Sequence, residues 1–318
     1  DVKKKFFDEP EPLVAPSAIL MSNTSTIPIT RQAKSLRHPG RFCGLHFFNP
    51  VRRLPLVEVI RGKETSDETV ATAVAFAKRI GKSPIVVNDG PGFLVNRMLF
   101  PYLNEALQLV AEGVDFEEIE GAATDFGMPV GPLELYDMVG LDTAVNAARV
   151  IFFAFGDRVV PSPIIPAMLK DGRLGKKNGR GFFKWASEKS KREADPTLRT
   201  ILDRYCSLTP KTMSREAIVD RLLLPMLLEA TRALEDRIVD DPRIVDFGVI
   251  FGLGFPTFRG GLLHWADSVG LGTLLQKCEP LRGLGLRFEP PALLRKLVDE
   301  GRTYYSIDPA SAAGRGGF

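Results

Sequence analysis

Histidine is scarce in this chain, with three among 318 residues, so the side chains able to pass a proton near neutral pH are quickly found. His46 lies in Gly44-Leu-His-Phe-Phe-Asn-Pro50, where an apolar run meets a proline-terminated loop. Such a run reads as a strand, and ligands of open α/β sheets bind beyond the carboxyl ends of strands. Glu58 sits inside a second apolar run, Leu56-Val-Glu-Val-Ile60. A carboxylate in a strand core needs a partner, because an unpaired buried charge is very costly. Imidazole is a natural one, since a carboxylate on one ring nitrogen fixes the tautomer and raises the basicity of the other. His46 is then a general base and Glu58 the group that orients it. On spacing alone the simpler account comes first: a histidine capping a strand and a glutamate facing water on a sheet edge.

Other polar groups have similar double readings. Ser22-Asn-Thr-Ser-Thr-Ile27 supplies hydroxyls that serve either a ligand or a turn after a strand. Asn96 follows a Gly-Pro-Gly turn at the start of a helical pattern, where its amide both donates and accepts, whether to a ligand or to the helix end. Lys176 and Lys177, with Arg173 and Arg180, form a basic loop that suits phosphates or simply faces solvent.

The elements that must position these groups fall into two textures. Ala18–Met21, Phe42–Phe48, Leu56–Ile60 and Pro84–Val87 are short apolar runs rich in branched and aromatic residues, bounded by Gly, Pro, Asn or Ser, and read as strands. Between the last two, Val70, Val74, Ala77 and Ile80 recur at helical spacing over 67–80. From Asp89-Gly-Pro-Gly92 onward the chain reads as helix. One stripe runs through Leu99, Leu103, Ala106 and Val110 to a stop at Gly113, and a further helix starts near Leu133 after the Gly127–Pro132 turn cluster. The polar stretch 186–196 reads as a linker. Beyond it the pattern returns: Asn96-Arg97, Pro101 and Glu105-Ala106 match Asp220-Arg221, Pro225 and Glu229-Ala230 at a constant offset. Gly131, Asp137 and Val139-Gly-Leu141 are echoed by Gly261, Asp267 and Val269-Gly-Leu271. Shared Pro and Gly positions mark shared kinks and turns, so the helical region is a tandem duplication. His264, in the second copy where the first has Glu134, has no acidic partner at a motif position and reads as structural.

The near-neutral balance of +3 argues against nucleic acid. No apolar run has the roughly 18 residues of a membrane span. Cys43, Cys206 and Cys278 are odd in number and widely spaced. They suggest neither a disulfide framework nor a metal site, and point to a reducing compartment.

Seven motifs in order resemble the 3-hydroxyacyl-CoA dehydrogenases: Ser22–Ile27, His46–Pro50, Leu56–Ile60, Asp89–Arg97, Gly127–Leu135, Asp137–Asp142 and Gly175–Phe183. The duplicated helical region, with Gly254-Phe-Pro and Arg259-Gly-Gly261, is most similar to the dehydrogenase part of multifunctional fatty-acid β-oxidation α-subunits. The resemblance reverses the order of the readings at His46. It implies an NAD-dependent oxidoreductase acting on an L-3-hydroxyacyl-CoA, with His46 as catalytic base and Glu58 as its acidic partner. It further implies that Ser25 and Asn96 contact the substrate's 3-oxygen and that Ser25 and Asn49 lie near the nicotinamide and its ribose. A thiolase subunit is an implied partner, and in the isolated chain the first strand, around Ala18 to Met21, offers an unpaired edge through which a homo-oligomer could form.

The fold expected is α/β then all-α: the C-terminal half of a Rossmann-type domain over 1–91, then two tandem helical domains over 92–195 and 196–318. The family's Gly-x-Gly-x-x-Gly loop does not occur between a strand and a helix here, and Asp1–Phe7 reads as a helix already under way. The expectation is therefore a fragment holding half of the NAD site, inactive alone, with any hydratase half lying upstream. Its location is expected to be cytoplasmic, with peroxisome and mitochondrion open. Two rival functions are an inactive acyl-CoA-binding or assembly scaffold and a dehydrogenase of small hydroxy acids.

Overall fold

The computed structural model describes residues 11–25, 27–187 and 189–308. The helical reading of residues 1–7, Thr26 and most of the tail beyond Ser306 lie outside them. Strands β1 (Leu20–Ser22), β2 (Phe42–Phe47), β3 (Leu56–Arg61) and β4 (Ser83–Asn88) form one sheet in the order β1-β2-β3-β4. All four expected strands are present, and among the described residues β1 is an outer strand. The sheet is mixed: β1 runs parallel to β2 and β3 to β4, while β2 and β3 are antiparallel. The short link between β2 and β3 leaves no room for a crossover, which a parallel pair requires.

Helix α1 (Ile29–Ala33) connects β1 to β2, and α2 (Asp67–Arg79) connects β3 to β4. Helix α2 begins at a Ser66 cap whose hydroxyl accepts from the Thr69 N–H at 3.2 Å. Acids in its first turn and bases in its last complement the helix dipole. Its buried ridge is Val70, Ala73 and Ala77, packed on Cys43, Leu45, Val57 and Val59. Ile80, expected in the stripe, is instead exposed because the helix has ended there.

The opposite face of the sheet carries Phe42, His46, Leu56, Glu58 and Ile60 and is covered by the helical region, beginning with α3 (Val95–Ala111). After it come α4 (Phe116–Phe126), α5 (Pro132–Val139), α6 (Leu141–Phe155) and α7 (Ile164–Lys170). The second copy opens with α9 (Arg215–Glu235), after a short α8 (Arg199–Leu202), and continues through α10 (Pro242–Leu253), α11 (Leu262–Val269) and α12 (Leu271–Cys278) to α13 (Ala292–Asp299). Pro101 and Pro225 lie inside α3 and α9, the long central helices of the two copies, which pack on each other. No single helix among the described residues is long and apolar enough to cross a membrane.

The copies share their polar joints as well as their helices. Glu120 of α4 accepts from the Leu133 and Glu134 N–H groups that open α5; Asp246 of α10 accepts from those of Leu263 and His264 that open α11. Asp137 accepts from the N–H groups of Phe182 and Phe183, and Asp267 from those of Tyr304 and Tyr305. Across the α3–α9 contact the copies exchange ion pairs. Arg97 donates to Glu229 at 2.8 Å and to Asp236 at 2.6 Å. Arg221 donates to Glu105 at 2.5 Å and to Glu112 at 2.7 Å. This reciprocity is what a pseudo-twofold axis between two copies of one unit produces.

The stretch read as a linker is built into the fold. Strand β6 (Arg192–Ala194) pairs antiparallel with β5 (Phe183–Trp185), and the buried Asp195 accepts from Arg173 at 2.7 Å. Arg173 is itself fully buried, bonded to Asp171, Gly181 O and Thr197 besides, so it does not form part of a phosphate-facing loop. A composition-based linker reading misses such a segment because its anchors, a strand pairing with β5 and ion pairs through Arg192 and Asp195, are made to residues distant in sequence.

Two outcomes follow from these joints. Glu105 is fully buried and serves Arg221 and Arg287 together, so Glu105→Ala is expected to cost about 3–5 kcal/mol in chemical denaturation; a loss below about 1 kcal/mol would contradict the pseudo-twofold pairing as a structural joint. Burial pushes the Glu120 carboxyl up to about 7 from an ordinary 4.5, against the opposing pull of its two N–H donors and Arg192. The folded chain then binds more protons than the unfolded one across that window, so this group's contribution to stability falls as pH rises from 4.5 through about 7. Glu120→Gln, which keeps an oxygen acceptor but cannot titrate, should flatten that slope; denaturation midpoints with equal slopes in both proteins would count against it.

Candidate active site

Strand register places the two candidate chemical groups side by side. In the antiparallel β2–β3 pair His46 lies opposite Glu58, so both project from the same face. His46 is 4% exposed and Glu58 is wholly buried. The His46 Nδ1 lies 2.6 Å from Glu58 Oε2. The other carboxylate oxygen, Oε1, accepts from the backbone N–H groups of Leu94 and Val95 at 3.1 and 3.0 Å. These N–H groups belong to the opening of α3, where no earlier carbonyl is available to them. With Oε1 engaged by two N–H donors, Oε2 acts as acceptor for hydrogen on Nδ1, which leaves the Nε2 lone pair for an external proton. The carboxylate thus has hydrogen-bond donors on both oxygens, which is what makes a buried charge tolerable.

The turn that brings α3 to Glu58 is backbone-driven. Gly92 has φ +75°, and a Cβ there would meet Ile151 Cδ1 at 2.5 Å and the Arg97 N–H nitrogen at 3.2 Å. Phe93 follows with φ +51°, an uncommon region for a bulky residue that costs on the order of 1 kcal/mol or more. Its ring is fully buried, 5.7 Å from the His46 ring, while the Phe48 ring stands 4.5 Å away on the same imidazole. The two phenylalanines confine the plane of His46. Neither these rings nor the Leu94 and Val95 amides were marked by sequence reading. The available signal was the Gly-Pro-Gly turn directly before a helix.

Asn96 and Ser25 are also brought together. The Asn96 Nδ2 donates to the Ser25 carbonyl at 3.0 Å, tying the loop after β1 to the first turn of α3. That loop is held from behind as well. The Ser22 hydroxyl donates to Gln32 of α1 at 2.7 Å, and Asp89 accepts from the N–H groups of Ile29 and Thr30 at 2.9 and 2.7 Å. Ser22 is therefore structural, whereas Ser25 is exposed. Asn49 is exposed at the end of β2, and among the described residues no hydrogen bond joins it to the dyad.

The groups around His46 fit a nicotinamide. Because β1 and β2 are parallel, their carboxyl ends, leading into Asn23–Ser25 and Phe48–Asn49, open on the same edge of the sheet. The exposed polar groups there are amides and hydroxyls, the neutral partners that a carboxamide and ribose hydroxyls call for. The basic loop has other employment: Lys177 pairs with Asp142, Arg180 with Asp171, and the Lys176 ammonium sits 4.2 Å over the Trp185 ring. His264 packs on Tyr305 and faces the Arg259 carbonyl at 3.0 Å, in keeping with a structural part.

The ring geometry has a direct spectroscopic consequence. Nitrogen-15 NMR of neutral His46 is expected to show hydrogen on Nδ1 and a free Nε2, and Glu58→Gln should disturb that preference; the opposite tautomer in the unaltered chain would undo the assignment of Nε2 as the accepting atom.

Comparison with known proteins agrees with this geometry. Residues 1–90 match the model of the 3-hydroxyacyl-CoA dehydrogenase NAD binding domain, and residues 92–185 and 218–306 match that of the C-terminal domain of the same family. The fatty acid oxidation complex subunit alpha of Psychrobacter arcticus is 44% identical over 311 residues, covering 96% of this chain and 43% of that protein. Its counterpart from Acinetobacter baumannii is 43% identical over 309 residues, with the same coverage. The chain therefore spans less than half the length of these curated relatives. Among solved structures, 3-hydroxybutyryl-CoA dehydrogenase from Escherichia coli K12 superposes with a TM-score of 0.80 at 26% identity, covering 94% of this chain and 79% of that one. The dehydrogenase part of multifunctional enzyme 1 from C. elegans gives 0.63 at 25% identity, covering 93% and 68%. With its sheet, its paired helical copies and both family models matched along nearly its whole length, the chain belongs to the 3-hydroxyacyl-CoA dehydrogenase family.

Proposed function

We propose that the protein carrying this chain oxidises the 3-hydroxyl of an L-3-hydroxyacyl-CoA to the ketone. The observation that carries this reading is the buried relay from the α3 amides through Glu58 to His46, which ends in one open imidazole nitrogen. Bound NAD+ supplies the acceptor for the hydride that leaves carbon 3. His46 Nε2 takes the hydroxyl proton as that hydride departs, so full alkoxide charge does not build up. Glu58 stabilises the resulting imidazolium, and its own charge is steadied by the Leu94 and Val95 N–H groups. Ser25 and Asn96 hold the reacting oxygen, while Ser25 and Asn49 flank the nicotinamide and its ribose. Their support is position: Asn96 and Ser25 are bonded to each other beside the helix start that serves Glu58.

The same reading divides the chain into a nucleotide-binding part over 1–91 and helical domains over 92–195 and 196–318. Relatives named as the alpha subunit of a fatty acid oxidation complex support a partner subunit, and the partner proposed here is a thiolase. Their bacterial sources support a cytoplasmic location.

His46→Gln in the complete protein is expected to lower kcat by ~10²–10⁴-fold with little change in KM for acetoacetyl-CoA. Near-normal turnover of NADH by that variant would remove His46 as the base. Asn96→Ala should lower kcat/KM more than it lowers stability, and a loss confined to stability would reduce Asn96 to a helix-end residue.

A further inference from the structure

A cavity of about 340 Å3 lies among α3, α6, α7 and α9, within the size range of small-molecule sites. Most of its wall is apolar, with Phe100, Ala148, Phe152 and Ile165 among its side chains, and His46, Glu58, Ser25, Asn49 and Asn96 are not part of it. Its charges are lopsided. Arg97, Arg149, Arg158, Arg232 and Arg287 face it, against the single acid Glu229. Glu229 accepts from Arg97, Arg158 and Arg232 at once. Arg97 has Asp236 in addition, Arg287 has Glu105, and Arg232 also reaches the carbonyls of Leu286 and Glu289.

One cation remains without a partner among the described residues. Arg158 is committed to Glu229, which its Nη2 meets at 3.3 Å and its buried Nε approaches to 3.2 Å. Arg149 is exposed, and its side chain makes no ion pair or hydrogen bond among the described residues. An apolar volume with an unpaired guanidinium on its wall fits an amphipathic anion: the tail gains by burial and the head by a charge-assisted bond.

We propose that this cavity binds a medium-chain alkyl carboxylate, separately from the dyad. The tail lies against Phe100, Phe152 and Ile165, and the carboxylate pairs with the Arg149 guanidinium. A singly charged carboxylate matches one unpaired guanidinium better than a doubly charged phosphate ester does.

Titration calorimetry of the protein with decanoate, decanol and butyrate tests this. Decanoate should bind one to one, with decanol and butyrate each weaker by roughly tenfold or more, since each lacks one half of the recognition. Ala148→Phe, which fills the cavity and leaves every charge in place, should abolish binding. Arg149→Gln, which removes the charge of an exposed side chain, should weaken decanoate by roughly tenfold. Saturating acetoacetyl-CoA should not displace decanoate. Equal binding of decanol and decanoate, unchanged binding in both Ala148→Phe and Arg149→Gln, displacement by acetoacetyl-CoA, or no binding of decanoate would each overturn the proposal.

Discussion

A glutamate with no exposure to water, placed in the middle of a strand, sets the terms for everything around it. Glu58 needs donors on both oxygens, and β3 alone has none to spare because its backbone is committed to β2 and β4. One oxygen is met from the neighbouring strand by His46. The other is met only if a helix begins directly over the sheet with its first N–H groups aimed downward. That demand explains the left-handed pair Gly92-Phe93, which turns the chain sharply enough to start α3 at that spot. Backbone strain at Phe93 is tolerated because its buried ring and the two amide bonds beyond it over-determine the turn.

Helix α3 can serve Glu58 only if it is itself fixed, and the second helical copy does that. Arg97, two residues beyond the Val95 amide, is locked to Glu229 of α9 and to Asp236, which caps that helix. From the sheet side, the Asn88 N–H donates to Ile238 O and its side-chain amide to Arg237 O, at 2.8 and 2.7 Å. The end of β4, the turn after it and the start of α3 are thereby held against the segment following α9. A duplicated unit thus stands where a separate subunit would otherwise be needed to buttress the helix, and the reciprocal Arg–Glu exchange shows that the two copies meet as halves of a dimer do.

Much of this was legible in the sequence because it rests on period and punctuation. Strand runs, the α3 stripe and the repeated Arg, Pro and Glu positions are local patterns, and they give the layers and the duplication without any coordinates. His46 and Glu58 were legible as residue types out of place: a rare imidazole at a strand end and a carboxylate in an apolar strand. What was not legible depends on pairing at a distance. The antiparallel β2–β3 register, the amides of Leu94 and Val95 and the ring of Phe93 come together only through the turn at Gly92, and no periodicity reports that. Asp195 and Arg173 hid in a polar stretch for the same reason, since a buried ion pair has the composition of a solvated loop.

The two copies also show which features belong to the scaffold and which to the site. The caps at Glu120 and Asp246, the loop anchors at Asp137 and Asp267 and the crossed Arg–Glu pairs recur in both. A feature kept in both copies is one the helical unit needs in order to fold and pair. The position of Asn96 is different. Its counterpart in the second copy is Asp220, and Lys277 holds that carboxylate at 2.9 and 3.0 Å. An amide that both donates and accepts suits a ligand oxygen of changing charge, whereas an aspartate closed by a lysine offers a ligand nothing. Among the described residues no sheet faces the start of α9 in the way β3 faces α3, and there the same slot holds an internal ion pair. The divergence at this one position separates a helix start that works on the dyad from one that only holds the fold.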